Sequence, residues 1–464
     1  MNRREFTRAA TTALAGILCG TAVEGTGNTA KYARPNILFI MTDQQHSGMM
    51  SCTVNKWVET PAMDSLAREG IRFERAYCAN PVCVPSRTSM ATGVMPGRLG
   101  VFGNKKTKIP EKFGDNSMGV ILKRARYDTF YGGKVHMYGK LDPRRAGYNQ
   151  YFSDQRDKLP EACVRFMTKE RDKPFLAVAS FINPHDICYA YLASRGKNKP
   201  NMASVDSLYR QASSLPTDQL PPLPENYAIP PMESDAVKAR LSTTAVTPSL
   251  TMRKTFSERD WRIYRWIYCR LTERVDRQIG RILKGLKGAG LAGKTLVVFT
   301  SDHGNMDASH RLSSKGLFYD ESVRVPLIIK TPGVTGGGRV DQDHLVSTGL
   351  DILPTLCDYA ETNAPEHFLG KSLRQIAEGR PVTAWRSYVA SENSWGRMIR
   401  SQRFKYCAYD SGATRETLVD MENDPGEMQN LCDSETYKVV LDEHRRYLME
   451  WVKLSGDKAG ARFL

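Results

Sequence analysis

Three uninterrupted apolar runs constrain this chain more than any other feature: Asn36–Met41 (NILFIM), Phe175–Phe181 (FLAVASF) and Thr295–Thr300 (TLVVFT). A strand wetted on one side alternates apolar with polar residues. A run without alternation is expected of a strand covered on both faces. Val325–Ile329 (VPLII) is a fourth candidate, with Pro326, which cannot donate to a ladder, near its start. Helical patterns lie between the runs. In Trp266–Leu286 the residues Ile267, Leu271, Val275, Ile279, Ile282 and Leu283 form one stripe, and Gly290 and Gly293 follow as stops. Buried strands alternating with amphipathic helices predict an α/β fold, a mixed and mostly parallel sheet sandwiched by helices.

A length of 464 residues allows one such unit with an appendage. The main unit is expected over 34–370. Within it, 190–255 is read as an irregular insertion, because Pro216, Pro221, Pro222, Pro224, Pro230 and Pro231 crowd one stretch. From 371 to 464 the texture changes. Tyr388–Ala390, Arg397–Arg400 and Phe404–Ala408 read as short strands, and Asp424-Pro425-Gly426 as a turn. Tyr437–Leu454 reads as a helix with Val440, Leu441, Tyr447, Leu448 and Trp451 on its apolar side. A small antiparallel sheet plus helix is expected there as a C-terminal subdomain.

At the other end, a charged start (Asn2 to Arg8) precedes an apolar run (Ala9 to Gly20) and the small residues Gly20-Thr21-Ala22. That order predicts a signal peptide, with residues 1–30 as signal and leader. Arg3-Arg4 before Phe6 resembles a twin-arginine signal, so the protein is expected to be exported to the periplasm or beyond the cell. The run is too short to span a bilayer, so stable membrane insertion is not expected. Lys and Arg (66) exceed Asp and Glu (50), giving +16 and favouring polyanionic partners. No basic motif interleaved with aromatics points to nucleic acid. The ten cysteines show no repeated pair at zinc-site spacing, and spacing assigns no disulfide.

Polar clusters end the apolar runs: Thr42-Asp43-Gln44-Gln45, Asn183-Pro184-His185-Asp186 and Ser301-Asp302-His303-Gly304. In open α/β sheets, ligands bind beyond the carboxyl ends of the strands. Asp43 and Asp302 supply hard oxygen ligands and Gln44 an amide oxygen, a set suited to Ca²⁺ or Mg²⁺ rather than zinc. His303 can ligate or can orient a ligand. Cys83-Val84-Pro85-Ser86-Arg87, continued by Thr92-Gly93, puts a thiol beside a fixed turn and an arginine. Such an arginine can depress the thiol pKa and bind an oxyanion; the same residues equally suit a buried cysteine at a turn.

The Cys-x-Pro-Ser-Arg segment with its downstream Thr-Gly resembles the activation sequence of the type I, formylglycine-dependent sulfatases of the alkaline-phosphatase-like superfamily. Further matches are Tyr127-Asp128-Thr129 through Gly133-Lys134-Val135-His136, then Asp302-His303-Gly304 with Met306, His310 and Lys315, then Tyr319 through Leu327, and Met421 through Glu427. The resemblance spans about 36 to 435. It implies an alkaline-phosphatase-like fold, sulfuric ester hydrolysis, and oxidation of Cys83 to Cα-formylglycine by a formylglycine-generating maturation enzyme. The hydrated aldehyde would be the nucleophile.

Carried over to this chain, the resemblance implies that Asp43, Gln44, Asp302 and His303 hold the metal, Ca²⁺ first with Mg²⁺ or Mn²⁺ as alternatives. Arg87 would orient the diol. Lys134 and Lys315 would clamp sulfate oxygens. His185 would share that clamp and, with Lys315, protonate the departing alcohol. His136 would be the base that expels sulfate from the covalent intermediate. Lys134 and His136 lie two apart, so in an extended strand they point to one side. Many members have consecutive aspartates where this chain has Asp43-Gln44, and asparagine where it has His303. The Gln and His variants also occur in choline sulfatases and in phosphonate or phosphodiester hydrolases. The expected substrate is a sulfated carbohydrate; the alternative is a phosphonate monoester or phosphodiester cleaved at the same formylglycine.

Overall fold

The structure, a computed structural model, describes residues 34–197, 202–241, 247–334 and 336–464. The segment read as an export signal lies outside them. The strands in chain order are β1 (Asn36–Asp43), β2 (Ile71–Phe73), β3 (Ala76–Tyr77), β4 (Asp128–Gly133), β5 (Gln150–Phe152), β6 (Phe175–Pro184), β7 (Thr295–Ser301), β8 (Leu327–Lys330), β9 (Arg339–Asp341), β10 (Val346–Ser347), β11 (Tyr388–Glu392), β12 (Gly396–Ser401), β13 (Phe404–Tyr409) and β14 (Glu416–Asp420). An eight-stranded sheet runs β5-β4-β6-β1-β7-β8-β2-β9. From β5 to β7 its neighbours are parallel. β8 is antiparallel to both β7 and β2, which makes the sheet mixed.

The unbroken apolar runs have the expected cause. Alternate residues of β1 enter two separate cores: Ile37, Phe39 and Met41 one, Leu38 and Ile40 the other. The second core is closed by the helices Pro61–Glu69, Leu159–Met167 and Glu258–Gly288, the first by Met118–Arg124 and Thr348–Tyr359. Helix Glu258–Gly288 starts at a capping box in which Ser257 and Asp260 bond each other's backbone N–H.

The smaller sheet, β11-β12-β13-β14, is antiparallel throughout. Helix Lys438–Ser455 packs Leu441, Leu448 and Trp451 onto its Ile399, Tyr406 and Leu418. The expected boundary at 370/371 falls in the connection between helix Thr348–Tyr359 and β11.

Three expectations need correction. The 190–255 segment is not irregular throughout: it carries helices Ala190–Ser194, Ala203–Ser214, Asp235–Leu241 and Thr247–Thr255. Val205, Leu208, Tyr209 and Ala212 pack as a helical stripe on Trp261 and Ile267, and the prolines break only the stretch after it. The fourth run begins at Leu327, past Pro326. Finally, β14 is an additional strand, whose Leu418 and Val419 are flanked by too many polar residues to stand out.

Candidate active site

β1 lies between β6 and β7, with Asp43 registered on Pro184 and Thr42 on Ser301. The three polar clusters therefore leave the sheet at one edge. Gln44 turns off β1 with φ +68°, a left-handed conformation uncommon for such a side chain. Its backbone is pinned on both sides: Gln44 N–H donates to Asp302 Oδ1 (3.1 Å), and the Tyr268 hydroxyl donates to Gln44 O (2.6 Å). After His303, Gly304 is required because a Cβ would lie 2.0 Å from Glu321 O.

Cys83 opens the helix Cys83–Thr92, whose N-terminus points at this edge. Its Sγ lies 3.2 Å from His303 Nε2, 3.2 Å from Lys315 Nζ, 3.7 Å from Lys134 Nζ and 3.8 Å from Asp43 Oδ1. The residue is fully buried. Burial and Asp43 push the thiol pKa up, but Lys315, Lys134 and His303 outweigh them and hold it well below the ordinary thiol value. This thiol is therefore chemically unlike Cys78 or Cys163, whose values burial raises. Nine cysteines are free among the described residues.

Arg87 stands one helical turn from Cys83 and commits its guanidinium to the carboxylates. Nε donates to Asp302 Oδ2 at 2.7 Å and an NH2 group to Asp43 Oδ2 at 2.8 Å. The remaining arm donates to Ser180 Oγ at 2.7 Å and Lys134 O at 3.1 Å. Arg87 thus braces the oxygen ligands instead of reaching Sγ. Asp43 Oδ2 also receives Lys134 Nζ at 2.5 Å. Its Oδ1 faces the thiol, with His185 Nε2 at 3.9 Å and Lys315 Nζ at 4.0 Å. Burial would raise Asp43, yet Lys134, His185, Arg87 and Lys315 hold its carboxyl well below the usual range. Asp302 goes the other way, raised by burial against the pull of Arg87.

His303 Nδ1 is 2.9 Å from Gly304 O, an atom that only accepts. Nδ1 therefore carries a proton, and Nε2 faces Cys83 and Asp302 Oδ1 (3.5 Å). One ligand atom from each of Asp43, Cys83, Asp302 and His303 lies within 4.8 Å of the others. Two carboxylates, an imidazole nitrogen and the amide oxygen of Gln44 form a donor set that fits a hard divalent ion. His185 is held down to about 4 by burial, Lys315 and Lys134, so its imidazole is neutral at pH 7. Burial alone would lower Lys315, but Cys83 and Asp43 raise it and keep it charged.

His136 departs from the expected geometry. β4 stops at Gly133, which adopts φ +97° where a Cβ would sit 1.9 Å from Ser180 O, and Lys134 lies beyond the strand. His136 itself has φ +41°, so the same-side argument from an extended strand does not apply. Among the described residues no hydrogen bond or ion pair joins it to Cys83, and its buried Nδ1 has no partner. The other expected residues converge within one cluster. Residues not foreseen complete it: Ser180, Tyr131 (hydroxyl to Lys134 O, 2.7 Å), Tyr264, Tyr268, Asn305 and Cys188. Ser180 had a legible signal, as the hydroxyl inside the apolar run FLAVASF.

Against known proteins, the Sulfatase family profile matches residues 35–362, and the profile described as N-sulphoglucosamine sulphohydrolase, C-terminal, matches 308–453. A Delta 4,5-hexuronate-2-O-sulfatase of Bacteroides thetaiotaomicron is 28% identical over 95% of this chain and 92% of its own. An arylsulfatase of Clostridium perfringens is 28% identical over 92% of this chain and 96% of its own. A solved 2-O GAG sulfatase superposes with TM-score 0.80 at 27% identity, covering 92% of this chain and 94% of that one. The phosphonate monoester hydrolase of Agrobacterium radiobacter, at TM-score 0.70 and 21% identity over 91% of this chain and 96% of that one, shares the fold.

Proposed function

Because the chain belongs to the sulfatase family of sulfuric ester hydrolases, with the alkaline-phosphatase-like fold, we propose that it is an exported enzyme removing sulfate from a sulfated carbohydrate. Relatives named for a hexuronate-2-O-sulfate, for ulvan and for N-acetylglucosamine-6-O-sulfate support that substrate class. The observation that carries the reading is the ring of basic side chains at Cys83: Lys315, Lys134 and His303 around one buried sulfur at a helix N-terminus.

In this reading Cys83 matures to formylglycine, whose hydrate supplies the nucleophile, and a divalent ion held by Asp43, Gln44, Asp302 and His303 supplies Lewis acidity. The remaining steps belong to the chain's own side chains. Arg87 fixes both carboxylates. Lys134 and Lys315 bind the outer sulfate oxygens, where charge grows as the ester breaks in a site screened from water. Lys315, whose ammonium also faces Asp43, delivers a proton to the departing alcohol, and neutral His185 donates a hydrogen bond beside it. His136 is the base, its Nδ1 making no other bond among the described residues.

Parallel kinetics of the matured enzyme on sulfated oligosaccharides, an aryl sulfate and an aryl phosphodiester test the proposal. The sulfate esters should show the larger kcat/KM. A much larger value for the phosphodiester overturns it.

A further inference from the structure

Gln44 differs from the carboxylates beside it in one chemical respect. A carboxylate offers two equivalent oxygens, whereas a carboxamide has an accepting end and a donating end. Turned over, it would put an NH₂ group where a cation needs oxygen. Lys315 identifies the ends: its Nζ stands 2.8 Å from one of them, and an ammonium only donates, so that end is Oε1. Cys188 Sγ lies 3.3 Å from the same oxygen. Nε2 therefore faces away and meets Asn305 Oδ1 at 3.0 Å.

Asn305 is itself an amide with two ends. Its Oδ1 accepts a second bond, from the Tyr264 hydroxyl at 3.0 Å. All three side chains are buried, so bulk water does not replace these contacts. Asn305 Nδ2 is left without a partner among the described residues, which makes this orientation costly for Asn305 alone. Turning Asn305 over would set its NH₂ against that of Gln44. Lys315 favours this orientation of Gln44 at its oxygen end, and the chain from Tyr264 through Asn305 favours it at its NH₂ end. Tyr264 reaches it from the helix Glu258–Gly288, which also pins the Gln44 backbone through Tyr268.

We propose that Asn305 and Tyr264 are positioning residues that set the polarity of Gln44, so that its carbonyl oxygen faces the divalent-ion site. A carboxylate at position 44 would need no such partner. The inference rests on the reading of Gln44 as a metal ligand.

Calorimetric titration of Ca²⁺ into the full chain tests it, with wild type, Asn305→Ala, Gln44→Glu and the double variant. Asn305→Ala should weaken Ca²⁺ binding about 10-fold or more. In the Gln44→Glu background the same change should stay within about 3-fold, because either end is then an oxygen. Tyr264→Phe, which keeps the ring packed, should follow the same pattern and carries the test if Asn305→Ala fails to fold. Asn305→Asp, which offers oxygens to both donors, should restore affinity. Equal losses in both backgrounds, or no loss at all with a binding wild type, overturn the proposal alone. A wild type that binds neither Ca²⁺ nor Mg²⁺ overturns the metal reading and the proposal with it.

Discussion

Arg87 Nε and Asp302 Oδ2 meet at 2.7 Å with neither side chain reached by solvent. The same guanidinium holds Asp43 at 2.8 Å, so one fork bridges two buried carboxylates, and Lys134 shares Asp43 with it. Removing one member of a buried ion pair leaves the other uncompensated. Arg87→Met should therefore lower unfolding free energy by about 3–5 kcal/mol. Arg87→Lys should not rescue it, because a point charge cannot reproduce the fork. Chemical denaturation without added metal measures both; a loss near zero would mean the carboxylates find other partners.

Lys134 and Lys315 should each matter to turnover more than to folding. In the proposed mechanism their charge acts where negative charge develops, and deleting one such donor costs on the order of 10²–10³ in kcat. Lys315→Ala should show this with little change in melting temperature, and Lys134→Ala should show it together with a fall in melting temperature, because its ammonium pairs with buried Asp43 at 2.5 Å. A rise in KM alone would assign them to uniform substrate binding instead.

Cys83→Ala should abolish sulfate-ester cleavage, by about 10³-fold or more. Protein matured in a competent host should carry an aldehyde at position 83, read by peptide mass spectrometry and hydrazide labelling. An unmodified thiol in fully active protein would rule out the formylglycine route.

Divalent ions should stabilise the fold. Binding to the native state alone adds about 2.7 kcal/mol when free ion is 100-fold above Kd. A Ca²⁺-dependent rise in melting temperature, reversed by chelator and absent in Asp43→Asn, is expected. Identical melts with Ca²⁺ and with chelator would contradict it.

A pH dependence follows from Glu392, a buried carboxyl at the end of β11. It accepts Gly97 N–H (2.6 Å) and Trp451 Nε1–H (2.8 Å), yet burial, opposed by Arg397 and aided by Asp457, pushes its carboxyl up to about 7. The folded protein then holds a proton that the unfolded chain releases near 4.5. The Glu392 contribution to stability is therefore fully present below that value and is lost as pH rises through 7, about 3 kcal/mol over the window, read as the difference between wild type and Glu392→Gln. Denaturation at pH 5 and pH 8 should show this slope, and Glu392→Gln should flatten it.

What was legible in the sequence follows from local rules. The runs in β1, β6 and β7 are apolar because both faces are covered, and a run says so without reference to its partners. The stripe from Ile267 to Leu283 is equally local. The direction of β8 is not, since parallel and antiparallel pairing leave the same residues in the run. Strand ends marked the site edge, and motif resemblance named Cys83, Arg87, Lys134, His185 and Lys315. The same-side argument for Lys134 and His136 does not apply, because Gly133 at φ +97° ends the strand that the spacing argument extended. Tyr264, Tyr268 and Asn305 were invisible because their work is done across long sequence separation. Tyr264 meets Asn305 from 41 positions away, and Tyr268 meets Gln44 from 224.

The complete burial of Cys83 has a consequence for timing. A catalyst can oxidise only a side chain that it can reach, and once this segment is packed as the helix that carries both Cys83 and Arg87, the sulfur has no exposed surface. On the proposed reading, aldehyde formation comes first and collapse of the sheet edge second. If the paired arginines at the start of the chain address a translocon for finished proteins, both events are over before the enzyme leaves the compartment where it was made.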